Sequence, residues 1–399
     1  MLAAPVSAFA ELVMLVSGDT QYEYNSNVFD LQRGFLTPFG GTNLGDSDIA
    51  YGGKLDASYL LSQQQFYLTV QGNEYHYNRF TELDHSDFTF DAGWDWRFGR
   101  LWDGVFDVTR IRSMVSFWNV VGTSLVIQTE QRETARVGLQ FTPDWRTELT
   151  GLTRKIDQPQ LAAPDLSLTE SSGEGAIKYT GTAGVTAGVA ATYLKGDFSD
   201  VAPGIFAPSY RQTSGALTAT DQITDKSTFR GLIGYTRRTS DTGFNNISGV
   251  TGELDYKRQL TGKTSAEIDL TRAINAYLTN DASEIDSIAA LNVNWQATYK
   301  IGVVLAYSYT YRQLPGQGAV LLAGAVVTNG TERTDKLNTV GLTVTYDPVP
   351  WLVLKPYVNY QTRSAENFAG GDFNSTIVGI QFALQWQRGV IPQRTPLYQ

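Results

Sequence analysis

Apolar and polar residues alternate with a period of two along nearly the whole chain, and this pattern limits the possible folds more than any other property of the sequence. In the segment VGLTVTYDPVPWLVLKPYVNYQ (340–361), Val340, Leu342, Val344 and Tyr346 share one side, and Gly341, Thr343 and Thr345 share the other. Successive strand side chains point to opposite faces, so period two means a strand. The Asp-Pro turn between two such runs predicts a hairpin. What decides the fold is whether the apolar face meets a protein core or lipid.

The same two faces recur elsewhere. Phe88, Phe90, Ala92, Trp94 and Trp96 oppose Thr89, Asp91, Gly93, Asp95 and Arg97, and Val378, Ile380, Phe382, Leu384 and Trp386 oppose Gly379, Gln381, Ala383, Gln385 and Gln387. A soluble sandwich alternates in this way too. Its strands average nearer five or six residues, whereas these run to about ten or more, the length of a tilted crossing of the hydrocarbon. Eight tight turns alternate with nine longer connections, which predicts about 18 antiparallel strands, with 16 as the nearest alternative. An even count places both termini on the tight-turn side, periplasmic in a bacterial outer-membrane barrel. The expected fold is therefore all-β, a transmembrane up-and-down barrel. Inside lipid only a helix or an edgeless barrel pairs every backbone group, and no uncharged apolar run reaches the ~18 residues of a membrane helix. Pro356 lacks a ladder donor and predicts a local break.

Tryptophan supports the same reading. Trp94, Trp96, Trp102, Trp145, Trp295, Trp351 and Trp386 all fall near tight turns or at the end of the last strand, as an interfacial girdle requires; Trp118 does not. Tyr75, Tyr77, Phe80, Tyr193, Phe198, Tyr307, Tyr309 and Tyr360 lie toward the long loops and are expected to form the second belt.

The absence of cysteine agrees with an extracytoplasmic protein, and a net charge of -9 argues against nucleic acid. MLAAPVSAFA ends in a small-x-small site, so residues 1–10 read as the remnant of a secretory signal, 11–390 as the barrel and 391–399 as a tail.

A lumen about 18 strands around is too wide for side chains to fill. The predicted inward faces supply Asp91, Asp95, Arg97, Arg230, Glu253, Asp255, Lys257, Glu267, Asp269, Lys355 and Arg363 as pore-lining candidates among Thr, Asn, Gln and Ser. Charges of both signs imply pairing across the pore and no strong ion preference; solvated lumen residues without a transport role are the plainer alternative. Two connections, SMVSFWNVVGTSLV from Ser113 and GQGAVLLAGAVVTNG (316–330), are too apolar for free loops and are expected to form a partial plug. The acidic loop GGTNLGDSD (40–48) matches no metal motif, and no cofactor is implied. His76 and His85, the latter beside Asp84, Ser86 and Asp87, are the only possible histidine bases; without a nucleophile or phosphate motif the chain reads as non-enzymatic.

The opening YEYNSNVFDLQRG, then FYLTVQGNEYHYNRFTELDHSDFTFDAGWDWRFG, TGKTSAEIDLTR, YDPVPWLVLKPYVNYQTRS and GGDFNSTIVGIQFALQW resemble, in this order, the EpsL-like outer-membrane barrels of exopolysaccharide loci associated with PEP-CTERM/exosortase systems. SNVF and YNRFTELD are the most specific pieces. The resemblance implies a role in assembly or export of a secreted polysaccharide, as conduit or accessory pore, with periplasmic export machinery as partner. The residues alone fit a general diffusion porin or nutrient channel equally well. The chain departs from the family in continuing past Trp386 through RGVIPQRTPLYQ.

Overall fold

The computed structural model describes residues 10–388 except 35, 38–40, 120–122, 159–165, 182–183, 200–208, 242–245, 278–281, 316–318, 323–324, 329–330 and 369–370. Of the expected leader and tail, residues 1–9 and 391–399 lie outside the described residues, and the first strand already starts at Ala10.

The chain is a succession of strands. The first half holds β1 (Ala10–Asn25), β2 (Asp46–Leu61), β3 (Gln64–Tyr77), β4 (His85–Phe98), β5 (Trp102–Met114), β6 (Ile127–Gln140), β7 (Trp145–Gln158), β8 (Leu166–Thr180) and β9 (Thr186–Ser199). Then come β10 (Tyr210–Thr224), β11 (Ser227–Ser240), β12 (Ile247–Gln259), β13 (Thr264–Tyr277), β14 (Ala282–Thr298) and β15 (Ile301–Leu314). The short pair β16 (Ala319–Leu322) and β17 (Ala325–Thr328) precedes β18 (Arg333–Val349), β19 (Leu352–Glu366) and β20 (Phe373–Arg388). All but β16 and β17 join one 18-stranded antiparallel sheet, in which each strand pairs with its chain neighbour. β20 also pairs with β1, from Met14 opposite Arg388 to Asn25 opposite Ile377, and this closes the barrel. Both ends of the closed wall lie on the tight-turn rim. Among the described residues the only helical pieces are two single turns, Thr81–Leu83 and Phe117–Asn119.

Closure follows from the two faces. Large apolar side chains such as Leu149 (65% exposed), Leu217 (61%) and Leu384 (58%) stand uncovered on the convex side, which in water would carry a prohibitive apolar surface. Strands of 13 to 17 residues exceed the ~9–11 needed to cross the hydrocarbon. This is a membrane barrel of the outer-membrane type. The hairpin read first from sequence is β18–β19, with Val340 opposite Tyr360 and Leu342 opposite Val358. Its ladder breaks between Thr343 opposite Tyr357 and Tyr346 opposite Leu354, with Pro356 in the gap, and the register shifts between Tyr346 and Val349.

All seven girdle tryptophans sit on the convex parity or in a turn at the tight-turn end, and Trp94 stacks on Phe66 while its indole N–H donates to Gln64 Oε1 at 2.9 Å. The second belt differs from expectation. Tyr75, Tyr77 and Phe198 have lumen parity, and Phe80 is buried in the mouth. Tyr22, Tyr24, Tyr51 and Tyr235 stand outside instead, beside Tyr193, Tyr307 and Tyr360. The reason is phase: distance from a loop sets the level of a residue, but parity sets its face.

Candidate functional site

Three loops fold into the long-loop mouth and build a small core there. Val28 and Phe29 come from the β1–β2 connection, Phe80 and Leu83 from β3–β4, and Phe117 from β5–β6; all are buried. Phe29 meets Phe80 edge-on at 4.8 Å and Phe117 at 5.1 Å between centroids. Polar groups fasten the cluster. Asn27, 4% exposed, donates to the Leu31 and Asn374 carbonyls at 2.8 and 3.1 Å and accepts from the Leu31 N–H, tying the loop to β20. Asp46 accepts from the Arg79 and Phe80 N–H groups, so the acidic loop braces its neighbour. The two most specific pieces of the family resemblance, SNVF and YNRFTELD, thus meet in one cluster.

The β5–β6 loop then crosses to the far wall. Asn119 Oδ1 accepts from Arg312 Nη1 of β15 at 2.8 Å, and the Arg312 and Arg363 guanidinium groups lie 4.4 and 5.8 Å from the Trp118 ring. Ser116 donates to Asp30 at 3.1 Å. Burial pushes the Asp30 carboxyl up to about 6, against the lowering pull of Ser116, the Trp118 backbone and Arg363. The expected constriction therefore exists in the first apolar connection. The second forms the separate β16–β17 hairpin, and its side chains lie outside the described residues.

Below the mouth, the lumen face is identified by contacts between strands two apart, which meet on the concave side of a curved sheet. Arg146 of β7 reaches past β6 to Asp103 of β5 with two bonds of 2.6 Å, and Tyr357 of β19 donates past β20 to Glu23 of β1. By the same parity Asp91, Asp95, Arg97, Arg230, Glu253, Asp255, Lys257, Glu267, Asp269, Lys355 and Arg363 all stand on the lumen side of their strands. They do not converge on one site. Arg230 pairs with Glu253 at 3.1 Å and Asp255 at 3.5 Å, and Lys257 with Glu267 at 3.9 Å. Asp255, Glu267 and Asp269 bring carboxylate oxygens within 4.8 Å of one another, but this triad is flanked by those cations.

Charge pairing runs along the wall instead of across the bore. Arg146 also binds Glu148, which takes Lys178; Arg154 bridges Glu130 and Glu170; Arg312 meets Glu284 and Asp286; Arg333 and Arg363 share Asp335. Of these residues only Arg363 stands out in the sequence, although parity with neighbouring polar positions, as for Arg312 with Ser308 and Thr310, contains the signal. The β1–β5 sector is different. Asp19, Glu23, Asp48, Asp56, Asp91 and Asp107 face the lumen there, while Lys54 and Arg97 are its inward cations. The bore therefore carries an acidic wall in this sector, beside the mixed charges of the remaining strands.

His76 and His85 stand on opposite faces of the wall. His85 Nδ1 lies 2.7 Å from the Leu83 carbonyl, its ring stacks on Tyr75, and Ser86 points to the opposite face, where Arg112 donates to it at 2.7 Å. His76 stands outside, with Nε2 2.9 Å from the Tyr51 hydroxyl and Nδ1 3.2 Å from Asp84 Oδ2.

No family model and no curated protein matches the chain. Solved structures similar to it include the outer membrane protein OpdK of Pseudomonas aeruginosa, at 12% identity over 94% of this chain and 99% of that chain with a TM-score of 0.48. OccK2 (OpdF) of the same organism is similar at 12% identity over 94% and 98%, TM-score 0.49. The siderophore receptor PirA from Pseudomonas aeruginosa is similar at 8% identity over 93% and 80%, TM-score 0.46.

Proposed function

We propose that the chain is an outer-membrane channel through which small hydrophilic solutes diffuse, with a preference for cations. The observation that carries this reading is the acidic lumen wall of β1 to β5 beneath a mouth narrowed by the β5–β6 loop. A wide bore lined by weak donors, acceptors and wall-bound ion pairs offers no single strong site at which a solute would stall. The tight-turn rim, where β1 begins and β20 ends, faces the periplasm and the mouth faces outward. Purified protein in a planar bilayer under a potassium chloride gradient is expected to give a reversal potential of cation-selective sign. Asp48→Asn with Asp91→Asn should move that potential toward zero. An anion-selective or non-conducting wild type sinks the proposal.

A second reading assigns the same bore to a secreted polysaccharide, as conduit or accessory, with export machinery docking at the periplasmic rim. It rests on the family resemblance and on the placement of both its specific segments at the mouth. Normal polymer secretion by a deletion strain would remove this reading and leave the first standing.

A further inference from the structure

On the acidic wall two carboxylates face each other across a strand pair. Glu23 of β1 stands directly opposite Asp48 of β2, and Asp48 opposite Tyr77 of β3, all on the lumen side and just below the mouth cluster against which Tyr77 packs. Opposed residues on neighbouring strands hold their Cβ atoms about 4.5–5.5 Å apart, so like charges there repel. Asp48 is 6% exposed, and among the described residues it has no hydrogen-bond or ion-pair partner. Its charged neighbours are the carboxylates of Glu23 and Asp46.

The surrounding groups are engaged elsewhere. Asp46 accepts from the Ser47, Arg79 and Phe80 N–H groups, and Arg79 sends its guanidinium to the Asn43 carbonyl at 2.9 Å. Lys54, the inward cation of β2, lies lower in the strand and pairs with Asp56 at 2.9 Å. Tyr357 of β19 spans β20 to reach Glu23, and Gly379 lies between the two in register; an added Cβ there would strike the Tyr357 ring. The small residue thus lets the hydroxyl cross the strand. Buried charges are stable when paired or bound to a metal, and the row Tyr357, Glu23, Asp48, Tyr77 supplies oxygens but no cation.

We propose that Glu23 and Asp48 hold a divalent cation, calcium, as a resident ion in the lumen wall beneath the mouth. Two bidentate carboxylates offer four oxygens and the Tyr357 hydroxyl adjoins them, while calcium takes about six to eight oxygens in irregular geometry and completes its shell with water from the bore. Magnesium demands a near-octahedral shell that is mostly water, for which the nearly closed surroundings of Asp48 leave less room. With two charged ligands the dissociation constant should be about 10⁻⁴–10⁻³ M, the range of extracellular calcium modules. The ion links β1 to β2 and, through Tyr357, to β19. The partly exposed triad Asp255, Glu267 and Asp269 differs, because Arg230 and Lys257 already pair with it.

An ion held this weakly at the wall leaves the bore open to other solutes. The site occupies part of the acidic wall on which the cation preference rests, but it is read by binding and heat stability with no current measured. Either proposal can therefore fail alone.

In detergent, terbium(III), a luminescent stand-in for calcium, should bind the wild type and be sensitised through Tyr77 and Tyr357, and calcium should displace it. Glu23→Gln and Asp48→Asn should each weaken terbium binding at least about tenfold, while Asp255→Asn should leave it unchanged. With a chelator present, Asp48→Asn should unfold at a temperature no lower than the wild type, since a buried and uncompensated charge is gone. Calcium at about 10 mM should raise the wild-type midpoint by a few degrees and leave that of Asp48→Asn in place. Absence of terbium luminescence in the wild type, an equal response in wild type and Asp48→Asn, or loss of the response in Asp255→Asn overturns the proposal. So does an Asp48→Asn barrel less stable than the wild type in chelator, which would mean that the protein itself already satisfies the carboxylate.

Discussion

Asp30 adopts a left-handed φ of 52° beneath the loop that narrows the mouth, and its ionisation should be felt there. Desolvation raises its pKa to about 6, above the ~3.9 of an unfolded chain. The docked loop therefore holds the proton more tightly than the undocked one. Its contribution is full below the unfolded value and is lost as pH rises through about 6. Single-channel records should be quieter at about pH 5 than at about pH 7.5. Asp30→Asn, which tolerates the same backbone conformation, should remove that dependence. Phe29 is the second residue to probe, since its ring links all three loops. Phe29→Ala should cost roughly 3 kcal/mol of loop docking, read as higher conductance and faster proteolysis of the β5–β6 loop. Unchanged conductance would show that the cluster does not limit the bore.

At the scale of the strand, parity carries the consequences. Leu342 sits near the middle of β18 and faces lipid, while Thr343 beside it faces water. Leu342→Arg should destabilise the folded barrel by about 2–4 kcal/mol in urea titrations in lipid, and Thr343→Arg by far less. The same alternation made the strands, their turns and the lumen parity of residues such as Asp91 and Lys355 readable from sequence, because period two and turn chemistry are local. Residues near the long loops were harder. Tyr75 and Tyr77 sit at the level of an outer belt, yet their parity turns them inward. Membrane level and membrane face are independent coordinates, and closeness to a loop encodes only the first.

For the whole molecule, closure creates what no segment contains. It brings Asn119 to Arg312, 193 residues away, and so turns one apolar connection into a bar across the mouth. It also places the carboxylates of β1 to β5 on one continuous wall, on which the proposed cation preference rests. Trp118→Ala should loosen that bar and raise conductance without altering the sign of selectivity, measured in the same bilayer experiment. An unaltered conductance would place the narrowest point elsewhere.

The sequence by itself determined an all-β chain, about 18 membrane-crossing strands and a tryptophan girdle at one rim, because a period of two, turn residues and indole placement are local and repeat at each strand. Tertiary structure alone decided which loop enters the bore, which carboxylates gather on one wall, and that Glu23 stands opposite Asp48. Each of these depends on strands and loops distant in sequence being drawn together around a closed wall, and on the register that sets one side chain against another.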